Sequence, residues 1–114
     1  MAPPSPLAIA TGSVQRLVKE EGSYHKELAS QETRLQKLLD NTAEDENKEY
    51  LLKQERTAIE ETKAVFPPLR ERIADALAKL EDQLETAQEN EGNPEEITKA
   101  KDVVAQAKTA VKDS

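Results

Sequence analysis

The chain has 114 residues, which is the length of one domain. Charged residues make up 34% of it and aromatic residues only 3%, and there is no cysteine. The missing cysteines exclude a disulfide framework and a thiolate metal site, and a compact α/β enzyme buries more aromatic mass than this. The N-terminal residues lack the pattern of a signal peptide, and no apolar stretch approaches the ~20 residues of a membrane span. We therefore expect a soluble, cytoplasmic, all-α protein.

The net charge of −7 is unevenly distributed. Residues 41–93 hold seven basic and fourteen acidic groups, whereas the segments on either side are balanced. An acidic middle segment opposes binding to nucleic acid and to anionic membranes, which need a basic face. We expect neither as a partner. The acidic face either keeps the protein in solution or forms an electrostatic docking surface.

A first helix is predicted over residues 6–40, after a disordered tail at residues 1–5. Ser5 and Pro6 supply an N-cap and a first helical residue. Apolar residues then recur at steps of seven, which is typical of a packed helix: Leu7, Val14, Leu28 and Leu35. Glu21 and Gln31 interrupt the apolar seams. They either extend to solvent or fix the register as buried polar residues do, or they border a partner-binding face.

A long middle helix is predicted over residues 43–90, with its capping box at Asn41 or Thr42. Its seam residues fall at steps of seven: Leu52, Ile59, Phe66, Ile73, Leu80 and Ala87. Pro67 and Pro68 interrupt this run, and a proline costs a helix interior ~3 kcal/mol. Because the apolar phase is the same on both sides, we predict one continuous helix that is kinked at the prolines.

A third helix is predicted over residues 94–112, with Asn93 as N-cap and Glu96 as its capping-box partner. Its apolar seam is predicted at Ile97, Val104 and Val111, with alanines beside it. The fold prediction is an antiparallel up-down-up three-helix bundle with coiled-coil-like seams, in a single domain of residues 1–114. The third helix is short enough to end near the prolines. The end that holds the 40–46 turn should then contain two helices only, and we expect the Phe66 layer to face Glu21 and Gly22.

Residues with catalytic chemistry are sparse. The single histidine, His25, could transfer protons, but no nucleophile or carboxylate pair accompanies it, and a surface position is the favoured interpretation. Neighbouring glutamates on one helix diverge by about 100° and cannot chelate an ion together. We predict no cofactor, no metal and no enzymatic activity.

Two segments resemble the tubulin-binding cofactor A (tubulin-specific chaperone A) family. The first is residues 11–20 followed by Tyr24-His25-Lys26-Glu27. The second has the spacings of the family's middle helix at Tyr50, Lys53, Ile59, Glu61, Lys63, Phe66-Pro67, Arg72-Ile73, Leu80 and Leu84. The similarity covers roughly residues 7–90. The chain departs from the family pattern at Gly22, at Pro68 and in the acidic turn of residues 44–47.

The resemblance implies a three-helix-bundle chaperone that captures β-tubulin after chaperonin release and holds it in quasi-native form before the αβ heterodimer forms. Other tubulin-folding cofactors are further candidate partners, and we expect a monomer or weak homodimer associated with the cytoskeleton. The rival hypothesis is a structural coiled-coil module that oligomerises through the two-helix end.

Tubulin is itself acidic, so binding should use local basic and amphipathic positions. The candidate partner-binding residues that match the family pattern are Arg16, Lys19, Tyr24, Glu27, Lys63 and Arg72. Arg56 and Arg70 are added on electrostatic grounds alone. For each of the eight, a solvated or i,i+4-paired surface role is the alternative.

Overall fold

A computed structural model describes residues 3–41 and 46–112. These residues form three helices, α1 (Pro6–Asp40), α2 (Lys48–Glu89) and α3 (Pro94–Lys112), and contain no strand. The all-α prediction is confirmed. The predicted bounds of α1 and α3 agree with the structure. The predicted start of α2 at residue 43 lies outside the described residues, but residues 46 and 47 form a turn, so the helix begins later than predicted.

The helix starts follow from their capping residues. Ser5 Oγ accepts a hydrogen bond from the amide of Ala8 at 3.0 Å, as an N-cap does. Asn93 Oδ1 accepts from the amides of Glu95 and Glu96 at 2.9 and 3.3 Å. Among the described residues, the Asn93 amide makes no capping-box bond to the Glu96 carboxylate, which accepts the Ser5 hydroxyl at 2.9 Å. This bond joins the first turns of α1 and α3.

The chain divides into two compact units. The three-helix unit consists of residues up to Glu21 and from Pro67 onward, and the two-helix unit of Gly22–Phe66. The third helix lies wholly in the three-helix unit, and the boundary on α2 falls at Pro67. Within the described residues, the two-helix unit therefore contains portions of α1 and α2 only, as predicted for the end that holds the 40–46 turn.

The buried seam of α2 matches the heptad prediction in its central part, whereas Leu52 and Ala87 at its ends are only half-buried. Ile59, Phe66, Ile73 and Leu80 are buried, and Leu69 and Leu77 join them after the prolines. The helix runs without interruption through Pro67 and Pro68, both of which are exposed. The missing N–H groups leave the carbonyls of residues 63 and 64 without their helical donors. Those two residues are also exposed, so water can hydrate the carbonyls.

The buried face of α3 differs from the predicted one. Ala100, Val103, Ala107 and Ala110 are buried, whereas Ile97, Val104 and Val111 are only half-buried. Helices packed through alanine approach closely, and larger side chains then lie at the edges of the contact. The prediction chose the face with the larger side chains, and it was wrong for that reason.

Phe66 packs against Tyr24 and His25, whereas the prediction named Glu21 and Gly22. Its ring centroid lies 6.5 Å from that of Tyr24 and 4.5 Å from that of His25. A Cβ placed on Gly22 would meet no atom within 4 Å, so this glycine is not needed to make room. Another contact between α1 and α2 in this unit is the ion pair of Arg34 with Glu55 at 3.0 Å. Together these contacts show that α1 and α2 run antiparallel in the two-helix unit.

Candidate functional site

Arg16 and Lys19 lie together on the surface of the three-helix unit. Both side chains are exposed on α1, and with Gln106 of α3 they line one shallow groove. Arg16 Nε makes only a long contact of 3.5 Å to the carbonyl of Gly12. Neither residue is in a salt bridge with the chain's other described residues. The guanidinium and the ammonium are therefore both available to a partner.

Arg70 and Arg72 differ in their exposure although they are neighbours in sequence. Arg72 is exposed and lines a second groove, between α1 and α2 of the three-helix unit. Arg70 is half-buried and already engaged within the chain. Of the two, only Arg72 has the setting of a docking residue.

The other four candidates belong to the two-helix unit. Tyr24 is half-buried against Phe66, and the Glu27 carboxylate accepts a 3.3 Å hydrogen bond from Gln31 Nε2. Tyr24 therefore packs within its own unit, and Glu27 is bonded within its own helix. Arg56 and Lys63 are exposed on α2.

Arg56 lies among acidic residues. The shallow surface that it lines on α2 also carries Lys53 and three glutamates, Glu49, Glu60 and Glu61. The local balance is thus two cations against three anions. Its electrostatic assignment as a site for an acidic partner is weaker than that of Arg16, Lys19 or Arg72.

The sequence prediction missed an exposed apolar residue in the three-helix unit. Ile9 is 57% exposed and lines the same groove as Arg72. The signal was present, because Ile9 falls outside the heptad series of Leu7 and Val14 and so has no place in that seam. In the two-helix unit the exposed large apolar residues are Leu39, Tyr50 and Leu51.

Chemistry other than binding has little support in the described part of the chain. Among those residues, no three of the types His, Cys, Asp and Glu are grouped to hold a metal ion. His25 is exposed, with its ring tilted by 33° against Phe66. None of the three described helices combines the length and apolar character needed to cross a membrane.

Comparison with known proteins gives one consistent result. The sequence model of the family described as tubulin binding cofactor A matches residues 2–104. Tubulin-specific chaperone A of Saccharomyces cerevisiae is 33% identical over 104 residues, which cover 91% of this chain and 92% of the relative. Its counterpart in Mus musculus is 32% identical over 102 residues, covering 90% of each chain.

A solved structure extends the similarity to the fold. The crystal structure of tubulin folding cofactor A from Arabidopsis thaliana matches with a TM-score of 0.79 at 32% identity. The match covers 90% of this chain and 92% of the other. The resemblance drawn from two helical segments therefore extends over most of the chain.

Proposed function

The chain belongs to the tubulin binding cofactor A family, and on this premise we propose that it captures β-tubulin after chaperonin release and holds it in quasi-native form on the way to the αβ-tubulin heterodimer. The observation that carries the proposal is the family match over residues 2–104. A cytoplasmic location and contacts with other tubulin-folding cofactors are part of the same proposal.

The family is one of chaperones rather than enzymes, which confirms the prediction that the chain is not an enzyme. A holding chaperone needs surfaces that bind a folded or nearly folded client and release it again. Exposed cations in shallow grooves suit this task, because charged contacts at the rim of an interface speed association and select the partner. Arg16, Lys19 and Arg72 have that setting on a chain whose net charge is −7.

A structural coiled-coil module is the second candidate function. It is favoured by the exposed apolar side chains of the two-helix unit, Leu39, Tyr50 and Leu51. Two such hairpins could bury these side chains against each other, as helices do in four-helix assemblies. In that case the protein would be a stable oligomer.

The deciding experiment compares capture of folded β-tubulin with capture of α-tubulin by the purified full chain, with light scattering on the same samples. The proposal predicts a monomer that retains β-tubulin in preference to α-tubulin. The double variant Arg16→Glu, Lys19→Glu should weaken capture. Lys101→Glu, an exposed charge reversal on α3, is the matched control. A stable oligomer that ignores tubulin would overturn the proposal in favour of the coiled-coil module.

A further inference from the structure

The α1–α2 groove of the three-helix unit has features of a docking site. It is lined by Ile9, Ala10 and Leu17 of α1 and by Arg72, Ala76 and Lys79 of α2. Pro6 and Gln83 lie at one end, and Leu17 and Arg72 at the other. The groove therefore follows two antiparallel helices for two turns or more, or ~10 Å and above.

The α1 side of the groove is apolar. Ile9 is 57% exposed, and Leu17 and Ala10 are half-buried. The one hydroxyl on this wall, that of Ser13, donates to the carbonyl of Ile9 at 3.1 Å. The wall therefore presents little unsatisfied polarity to an incoming apolar side chain. The small side chains of Ala10 and Ala76 on opposite walls leave space between the helices.

The α2 side of the groove is charged. Arg72 and Lys79 are separated by seven residues, so they project from the same face about two turns apart. Asp75 lies between them, and the three side chains together carry one net positive charge. None of the three forms an ion pair with another residue in 3–41 or 46–112. On a chain of net charge −7, this is a local basic surface beside an apolar one.

We propose that this groove binds an amphipathic helix of the tubulin client that carries acidic residues. Its apolar side chains contact Ile9 and Leu17, and its carboxylates pair with Arg72 and Lys79. A helix suits the site because a straight groove between two helices takes the apolar face of a third, with anchors at helical spacing. Because Arg72 and Lys79 are cationic, charge complementarity requires negative charge on the partner helix. The inference rests on the proposed function and identifies the surface of the chaperone and the kind of client segment it receives.

The test measures the affinity of folded β-tubulin for four variants of the full chain. Ile9→Asp and Arg72→Glu remove the apolar and the basic contact, respectively. Asp75→Lys increases the positive charge of the same rim, and Lys101→Glu is a charge reversal on the exposed surface of α3 outside the groove. Because all four positions are exposed, folding is retained, which circular dichroism checks for each variant.

We expect Ile9→Asp and Arg72→Glu each to weaken binding about tenfold, as loss of a central contact does. Asp75→Lys should strengthen binding by about threefold through its added charge. Lys101→Glu should bind as the wild type does. A strengthened variant cannot result from a damaged fold, so Asp75→Lys keeps the test informative.

Two results would overturn the groove inference and leave the proposed function standing. In the first, Ile9→Asp and Arg72→Glu bind β-tubulin as tightly as the wild type does. In the second, Asp75→Lys weakens binding. The groove inference is also overturned if light scattering shows a wild-type dimer that Ile9→Asp dissociates, because the occupant is then a second copy of the chain. A wild type that does not bind β-tubulin overturns the proposed function, and the groove inference with it.

Discussion

Tyr24 and Phe66 meet edge to face across the two-helix unit, with ring planes at 77° and centroids 6.5 Å apart. Such pairs add to the free energy of folding beyond the area they bury. Phe66 is 5% exposed, and the ring of His25 also lies against it, with centroids 4.5 Å apart. Tyr24 was predicted as a partner-binding residue, and this contact gives it a packing role within its own unit.

The Tyr24–Phe66 contact predicts energetic coupling in a double-mutant cycle. Tyr24→Ala and Phe66→Ala should each destabilise the protein, and their effects should be non-additive by about 1 kcal/mol. Urea unfolding followed by circular dichroism measures this. The control cycle pairs Phe66→Ala with Tyr50→Ala, since Tyr50 is 61% exposed. Additive effects in the first cycle would contradict the packing role.

Gln31 is a buried polar residue in the two-helix unit, only 5% exposed. Its Nε2 donates to Glu27, but among the described residues its Oε1 has no hydrogen-bond partner. A buried acceptor without a donor costs ~1–3 kcal/mol. We therefore predict that Gln31→Leu raises the free energy of unfolding by about 1 kcal/mol or more. The measurement is urea denaturation at two protein concentrations, which also reports any oligomer.

Gln36→Leu is the matched control for this substitution. Gln36 lies on the same helix but is exposed, so its replacement should change stability by less than ~0.5 kcal/mol. If Gln31→Leu lowers stability, the glutamine contributes favourably to folding through its bond to Glu27, and the prediction is wrong.

Heptad spacing predicted the central seam of α2 well, because that face carries large apolar residues from Ile59 to Leu80. Ile59 and Ile73 lie on opposite sides of the prolines and are both buried at the predicted phase. Heptad spacing did not predict the buried face of α3, because the larger side chains of that helix are not the most buried ones. Ala107 is fully buried, while Val104 beside it is half-buried. Which face of a short helix is buried depends on how closely the neighbouring helices approach it. The spacing of apolar residues in the sequence does not reveal that interhelical distance.

The part of the candidate site that is formed by neighbouring residues of a single helix could be predicted from the sequence. Arg16 and Lys19 are three residues apart, so any helix brings them to one surface. The groove of Ile9 and Arg72 was not predictable in this way, because it joins two helices whose register depends on packing. Arg70 and Arg72 carry the same charge in the sequence, and only burial separates them.

Glu91 holds a backbone conformation that favours glycine. Its φ is 50°, two residues after α2 ends at Glu89, and the Gly92 amide donates to the carbonyl of Ala87 at 2.7 Å. This is the 6→1 hydrogen bond of a Schellman motif. In that motif glycine normally occupies the left-handed position, which Glu91 occupies here. Glu91→Gly should stabilise the protein by about 1 kcal/mol, because a non-glycine residue is strained there. Thermal unfolding at constant pH measures the gain.

Glu91→Gln separates the effect of charge from that of the backbone. An acidic residue at a helix C-terminus is unfavourable, and the last turn of α2 has no basic residue to balance it. Glutamine removes the charge and keeps the backbone strain, so Glu91→Gln should raise the free energy of unfolding by only ~0.3 kcal/mol. Equal gains from glycine and glutamine would show that strain contributes nothing.

Pro68 lies inside α2 on its exposed face. Pro68→Ala restores an N–H donor to the carbonyl of Ala64 without disturbing buried residues. We predict a gain of ~1–3 kcal/mol in the free energy of unfolding and unchanged capture of β-tubulin. Pro6→Ala is the control. The amide at the first helical position has no acceptor within the helix, so replacing this proline should be nearly neutral. A loss of stability in Pro68→Ala would mean that the helix geometry set by the second proline is itself required for packing.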